Sequence, residues 1–168
     1  MSDVFASPHQ TFLSLGSNLG EKVENLRRAR EELTRLGVHI QKASLLYQTE
    51  PVDYKDQDWF LNQVLQAGTP FGPEQLLDCC LQVEADLGRE RRIPKGPRLM
   101  DIDVLLYDRI ILNLPRVQIP HPRMHLRRFV LEPLVAIAPG VFHPTFQKTV
   151  SALLKECQDQ SMVVELDD

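Results

Sequence analysis

At 168 residues, 43% hydrophobic and 25% charged, the chain is long enough to bury a core without disulfide or metal staples. Its net charge of −4 and pI near 5.7 exclude a general nucleic-acid binder, whose footprint is broad and basic. Three cysteines, two of them adjacent at Cys79 and Cys80, give neither a disulfide framework nor paired metal-ligand spacing. No stretch reaches membrane-spanning length, and Met1-Ser2-Asp3-Val4 lacks the basic start of a signal peptide, so a cytoplasmic protein of one domain, residues 1–168, is expected.

Thr11 to Leu15 alternates like a strand and runs into the turn Gly16-Ser17-Asn18-Leu19-Gly20. That turn lacks the Gly-Lys-Ser/Thr ending of a phosphate loop and reads as structural. Asn18, followed three residues later by Glu21, has the spacing of a helix start, and the helix carries Val23, Leu26, Leu33 and Leu36 to a stop at Gly37. Val38 to Tyr47 is a second expected strand and Trp59 to Ala67 a third, joined by a polar loop. On the third strand Phe60, Asn62 and Val64 share a face by the period of two. An aromatic plate beside an amide suits a flat heterocycle; the alternative is a core phenylalanine and a ladder amide.

Pro73 opens a helix that runs to Leu87, before Gly88. Glu84 lies on the inward stripe of that helix with Leu77, Cys80 and Leu81, either as a structural acid paired with an arginine or as part of a site. Arg89, Arg91, Arg92, Lys95 and Arg98 then crowd five cations into ten residues, and Pro94, Gly96 and Pro97 make the segment a loop. The strand Leu99 to Tyr107 sets Asp101 and Asp103 on one face, with Met100, Ile102, Val104 and Leu106 on the other. Two carboxylates held that close repel unless a cation sits beside them, and a hard divalent ion bound through oxygen is the candidate. A metal beside an arginine-rich loop is what polyphosphate chemistry needs. Taken singly, the acids could be a solvated face and the arginines surface ion pairs.

Arg109 to Leu112 reads as a partner strand across an Asp108-Arg109 turn. A proline-rich link, Pro115 to Pro122, leads to a helix around Arg127 to Ala138, kinked or shortened at Pro133. His121 and His125 in that region could be neutral phosphate partners, general acids or metal ligands, though two histidines without a third soft ligand do not make a zinc site. Val150 to Cys157 is a last helix, and the acidic tail adds a short edge strand. The order strand, helix, strand, strand, helix, strand is that of an α+β, ferredoxin-like antiparallel sheet with helices packed on one face.

Gly16 to Gly20, Tyr47-Gln48-Thr49-Glu50-Pro51, Asp56-Gln57 with Phe60-Leu61-Asn62, Gly96-Pro97-Arg98 through Asp101-Ile102-Asp103, and Pro120 to Met124 through Phe129 to Leu134 together resemble the 6-hydroxymethyl-7,8-dihydropterin pyrophosphokinases of folate biosynthesis. The ordered blocks span about Phe12 to Leu154. The resemblance implies a ferredoxin-like fold, two Mg²⁺ ions, ATP as co-substrate, and transfer of its β,γ-diphosphate to the pterin hydroxymethyl group with release of AMP. By the same resemblance Asp101 and Asp103 hold the metals, Arg89 and Arg98 stand near the reacting phosphates, and Arg91 closes over ATP. His121, Arg116 and Arg127 contact the nucleotide, with the backbone of Val104 by the adenine; Glu84 is counted with this nucleotide side. The pterin lies between Phe60 and Phe129, with Asn62, Thr49 and the backbone near Val52 along its hydrogen-bonding edge. Partners are expected to be small molecules only, with no nucleic acid or membrane, and the protein a monomer.

Overall fold

The computed structural model describes residues 9–52, 54–88 and 97–166. Among these, the elements in chain order are β1 (His9–Ser17), α1 (Lys22–Arg35), β2 (His39–Ala43), β3 (Tyr47–Thr49), β4 (Phe60–Thr69), α2 (Pro73–Asp86) and β5 (Asp101–Tyr107). They are followed by the hairpin β6 (Leu112–Asn113) and β7 (Gln118–Ile119), a 3₁₀ turn at Met124–Leu126, α3 (Arg128–Ile137), the hairpin β8 (Phe142–His143) and β9 (Lys148–Thr149), α4 (Val150–Glu156) and β10 (Val163–Glu165).

Six strands form one antiparallel sheet in the order β10-β3-β4-β1-β5, with β2 also on β4. The two central strands, β1 and β4, are buried along most of their length, and pairing on both sides satisfies their backbone groups. Alternation then divides their side chains between two cores. Leu13, Leu15, Leu61, Leu65, Ile102 and Val104 pack with Leu26, Ala29 and Leu33 of α1 and Leu76, Cys80 and Val83 of α2. Phe12, Val64, Leu105 and Leu106 pack with Val130, Leu134 and Ile137 of α3 and Val150 of α4. Truncating a fully buried leucine in either cluster to alanine costs about 2–5 kcal/mol.

The α+β antiparallel sheet is the expected one, but the helices cover both faces rather than one. Helices α3 and α4 bury the face opposite α1 and α2 because Phe12, Val64 and Leu105 leave it apolar. The strand expected over Val38–Tyr47 is two strands, β2 and β3, which pair with different ends of β4. Leu106 does not share the face of Ile102 and Val104. A bulge in β5, where Phe12 pairs with Leu106 and Leu13 with Val104, leaves Leu105 extra and turns Leu106 into the second core. Arg109–Leu112 is no partner for β5; Leu112 pairs instead with Ile119. Pro133 is accommodated inside α3.

Gly37 ends α1 at a φ of +104°, a left-handed conformation that costs a non-glycine residue free energy. The start of α1 is not capped as expected. Glu21 occupies the N-cap position without a side-chain bond, and Asn18 is engaged elsewhere.

Candidate active site

The sheet face that carries Phe12 and Val64 changes character toward the C-terminal end of β1. Gly16 there pairs with Asn62 of β4 on one side and Asp101 of β5 on the other, and Ser14 pairs with Asp103. On the far side of β4, Tyr47 pairs with Asn62 and Thr49 with Phe60. Directly paired residues in antiparallel strands project to the same side, so four strands bring Thr49, Phe60, Asn62, Gly16, Asp101 and Asp103 onto one face. Gly16 is the low point of that row. A Cβ built on it falls 2.6 Å from Asn62 Oδ1 and 3.6 Å from the Phe60 ring, so only glycine lets the Asn62 amide lie across β1. Asn62 is buried and its Nδ2 donates to Thr49 Oγ1, which fixes both side chains. Val52 is half-buried beyond the end of β3.

On the β5 side, Arg98 donates from its guanidinium to Asp101 Oδ2 at 2.7 Å. Burial raises the pKa of Asp103, the charges of Asp101 and Glu84 raise it further, and Arg127 and Arg98 pull it back. Glu84, 3% exposed, accepts from the backbone N–H of Ile102 at 2.7 Å. It therefore covers an N–H of the edge strand between the two aspartates. Asp101 and Asp103 fit a magnesium ion: both are hard oxygen donors on one face, and their mutual repulsion is relieved by positive charge. Among the described residues no group of three or more His, Cys, Asp or Glu could hold a metal. The protein's share would be these two carboxylates, a number that suits magnesium bound jointly with phosphate oxygens and water.

His121 is reached through β7 and the cis Ile119–Pro120 bond, and its backbone N–H donates to Leu105 O of β5 at 2.9 Å. Burial and the nearby Arg127 push its pKa down to about 4, with Asp101 opposing and Arg123 adding to the fall. Its Nδ1 accepts from the Arg123 backbone N–H at 3.1 Å, so the neutral ring carries its proton on Nε2. Arg127, the residue before α3, lies with its guanidinium 5.5 Å from the centre of the half-buried Phe129 ring. Val104 is buried in β5. Arg116 is apart from this group: it is exposed and pairs with Asp78 and, at 3.9 Å, with Glu74 on α2. Arg89 and Arg91 lie outside the described residues.

Asn18 is the residue whose part in this region the sequence did not disclose. It is 1% exposed, its Oδ1 accepts from the Arg98 backbone N–H at 2.8 Å, and its own N–H donates to Arg98 O at 3.1 Å. Its Nδ2 donates to Gln57 Oε1 and Asp58 O at 2.8 and 3.0 Å. One amide thus holds the segment before Phe60 against the segment bearing Arg98. The Gly-Ser-Asn turn between two short blocks was the only signal, and its spacing to Glu21 imitates a helix cap.

The family model for 7,8-dihydro-6-hydroxymethylpterin-pyrophosphokinase matches residues 12–139. The chain belongs to this family. A Bacillus subtilis relative named 2-amino-4-hydroxy-6-hydroxymethyldihydropteridine pyrophosphokinase is 40% identical over 131 residues, 77% of this chain and 78% of the relative. The folic acid synthesis protein fol1 of Pneumocystis carinii is 38% identical over 151 residues, 90% of this chain but only 20% of the relative. The chain therefore spans about a fifth of the length of relatives of that kind. A crystal structure of an HPPK-DHPS in complex with substrates superposes with a TM-score of 0.71 at 13% identity, over 90% of this chain and 43% of that one, which establishes the family's fold. No helix among the described residues is long and apolar enough to cross a membrane.

Proposed function

We propose that this chain transfers the β,γ-diphosphate of ATP to the hydroxymethyl oxygen of 6-hydroxymethyl-7,8-dihydropterin and releases AMP, acting as a cytoplasmic monomer of one domain. The observation that carries the reading is the row across β3, β4, β1 and β5, in which a fixed amide and hydroxyl stand on one side of Gly16 and two carboxylates on the other. Family membership supplies the reaction class. In the proposed complex the pterin lies between Phe60 and Phe129, with Asn62, Thr49 and the backbone near Val52 reading its polar edge.

Asp101 and Asp103 hold two Mg²⁺ ions, whose chemistry when bound is to neutralise charge on the phosphate oxygens. Arg98, Arg89 and Arg91 take further phosphate oxygens, with Arg98 oriented by Asp101 and its backbone by Asn18. His121, neutral and protonated on Nε2, donates a hydrogen bond to the nucleotide without adding charge. Arg127 and Arg116 are the remaining nucleotide-side cations, and Val104 lends backbone to the adenine. Glu84 steadies the strand between the two aspartates.

In the reaction the hydroxymethyl oxygen bonds to the β-phosphorus, the bridge oxygen leaves with AMP, and the hydroxyl proton is released. Little covalent help is available, so the protein works by holding both reactants in line and presenting fixed positive charge. Incubation with ATP, Mg²⁺ and the hydroxymethyl pterin, with nucleotides resolved by chromatography, tests it. AMP formed in step with a diphosphorylated pterin is expected. ADP would make the protein a simple kinase, and ATP binding without a pterin-dependent product would make it a binding module.

A further inference from the structure

The segment from Asp159 to Leu166 runs from the start of α3 to β3, alongside which it forms the edge strand β10, and is gripped at both ends. Asp159 Oδ2 accepts from the backbone N–H of Arg128, the first residue of α3, at 3.0 Å, and Asp159 Oδ1 accepts from Ser161 N–H at 2.9 Å. The residue at the N-cap of α3, Arg127, makes no side-chain cap bond, so the carboxylate of Asp159, 31 positions beyond Arg128, does the capping. Burial opposes ionisation of Asp159, yet the bonds from Arg128 and Ser161 outweigh it and its pKa lies below the ordinary value. Arg128 returns the contact through its guanidinium, which donates to Ser161 O and Glu132 Oε1, both at 3.0 Å.

At the other end β10 pairs with β3, matching Val163 to Thr49 and Glu165 to Tyr47. Met162 and Glu50 exchange two hydrogen bonds, Met162 N–H to Glu50 Oε1 at 2.8 Å and Glu50 N–H to Met162 O at 3.1 Å. Leu166 N–H donates to Leu46 O at 2.8 Å, and the hydroxyl of Tyr47 donates to Oε2 of the exposed Glu165 at 2.7 Å in a part-buried contact. Both anchors adjoin residues assigned to the heterocycle. Arg128 sits between Arg127 and Phe129, and β3 carries Thr49 and Tyr47, paired respectively with Phe60 and Asn62.

We infer that residues 159–166 are a strap that sets the separation of the two walls of the heterocycle slot, with Asp159 and Glu165 as positioning residues. The inference rests on the pterin reading above. A wall fixed only by its own strand or helix could shift along β4 or tilt about the second core. The strap converts two independent movements into one, at two polar contacts that touch no substrate.

The test measures both KM values, kcat and direct pterin binding by fluorescence for wild type, Asp159→Ala, Glu165→Leu and Glu165→Gln. Gln keeps an acceptor for the Tyr47 hydroxyl, so Glu165→Gln is expected to match wild type. Asp159→Ala and Glu165→Leu are each expected to raise the pterin KM and dissociation constant about five- to tenfold, in line with loss of one cap or one part-buried hydrogen bond to a charged group. For Glu165→Leu the KM for ATP is expected to move less than about twofold, because its contact is with β3, away from Arg127 and the acid side of the row. Equal shifts in both KM values, or a lower melting temperature with unchanged pterin binding, would make the strap merely structural. Should Asp159→Ala not fold, Glu165→Leu against Glu165→Gln still decides the point. A wild-type protein that turns over no pterin overturns the parent reading and this inference with it, whereas a wild type that turns over with insensitive variants overturns the strap alone.

Discussion

The two ends of the row across the sheet are built on opposite principles. On the amide side Thr49 and Asn62 are buried and bonded to each other, Gly16 leaves the amide its only room, and β3 is braced by β10. On the acid side two carboxylates share one face of an edge strand, one of them with its pKa raised by burial and by its neighbours. The first end is complete without a ligand; the second carries repulsion that a bound cation relieves. A rigid end suits recognition of a flat molecule by shape and hydrogen bonds, and a strained end suits chemistry on an anion.

Asp101→Ala and Asp103→Ala should separate the ends most sharply, each lowering turnover by about a thousandfold or more, as loss of a metal-holding carboxylate does. Circular dichroism should be unchanged and pterin binding in the absence of ATP nearly so; turnover within tenfold of wild type would remove these residues from the acid side. Next in size, Gly16→Ala should act on the other end. Its Cβ cannot coexist with Asn62 Oδ1 at 2.6 Å, so the amide must turn away, and the pterin KM should rise about ten- to a hundredfold with the ATP KM little changed. An ATP KM that rises as steeply would mean that Gly16 serves both ends.

How far the sequence reveals this arrangement follows from the range of the forces involved. Period-two alternation assigns Asp101 with Asp103 and Phe60 with Asn62 to their faces, and both assignments agree with the structure, because side-chain alternation is local. The juxtaposition of Gly16 with Asn62 and Asp101 depends on strand order and register, which no short window of sequence contains. For the same reason the bulge that moves Leu106 into the second core is invisible: it answers to β1, not to its own neighbours. Asn18 imitates a helix cap because the local spacing of a cap is also the spacing of a residue that bonds Gln57 and Arg98, 39 and 80 positions away. The acidic tail does form the expected edge strand, β10, yet the grip of Asp159 on Arg128 leaves no trace in the charge pattern.

A smaller effect should show the strain on the acid side directly. Asp103→Asn removes one of two adjacent charges while keeping shape, so the ligand-free variant should be more stable than wild type by about 1 kcal/mol, or roughly 2–4 °C for a chain of this size. The same substitution is expected to abolish activity. Magnesium with ATP should raise the melting temperature of wild type and leave Asp103→Asn nearly unmoved. A destabilised Asp103→Asn would mean that the acid pair is already neutralised within the protein, and the contrast between the two ends would fall.

The smallest effect comes from a histidine remote from the row and separates burial from site chemistry. His125 packs against Phe146, with ring centroids 4.6 Å apart, and edge-on to His143 at 6.5 Å. Burial lowers the pKa of His125, and burial with repulsion from His125 lowers that of the deeply buried His143. Folded, these rings resist protonation, while in the unfolded chain they titrate near 6.5. The unfolded state therefore binds more protons as pH falls below about 6.5, and the stability these groups contribute is full above that value and declines below it. His125→Phe should keep the ring contacts and remove one such proton. Its melting temperature should fall less steeply than wild type's between pH 7 and pH 5, by about 1–3 °C over the interval. Because His125 does not share the row, its KM values at pH 7.5 should be those of wild type; parallel melting curves for the two proteins would show that the acid sensitivity of the fold lies elsewhere.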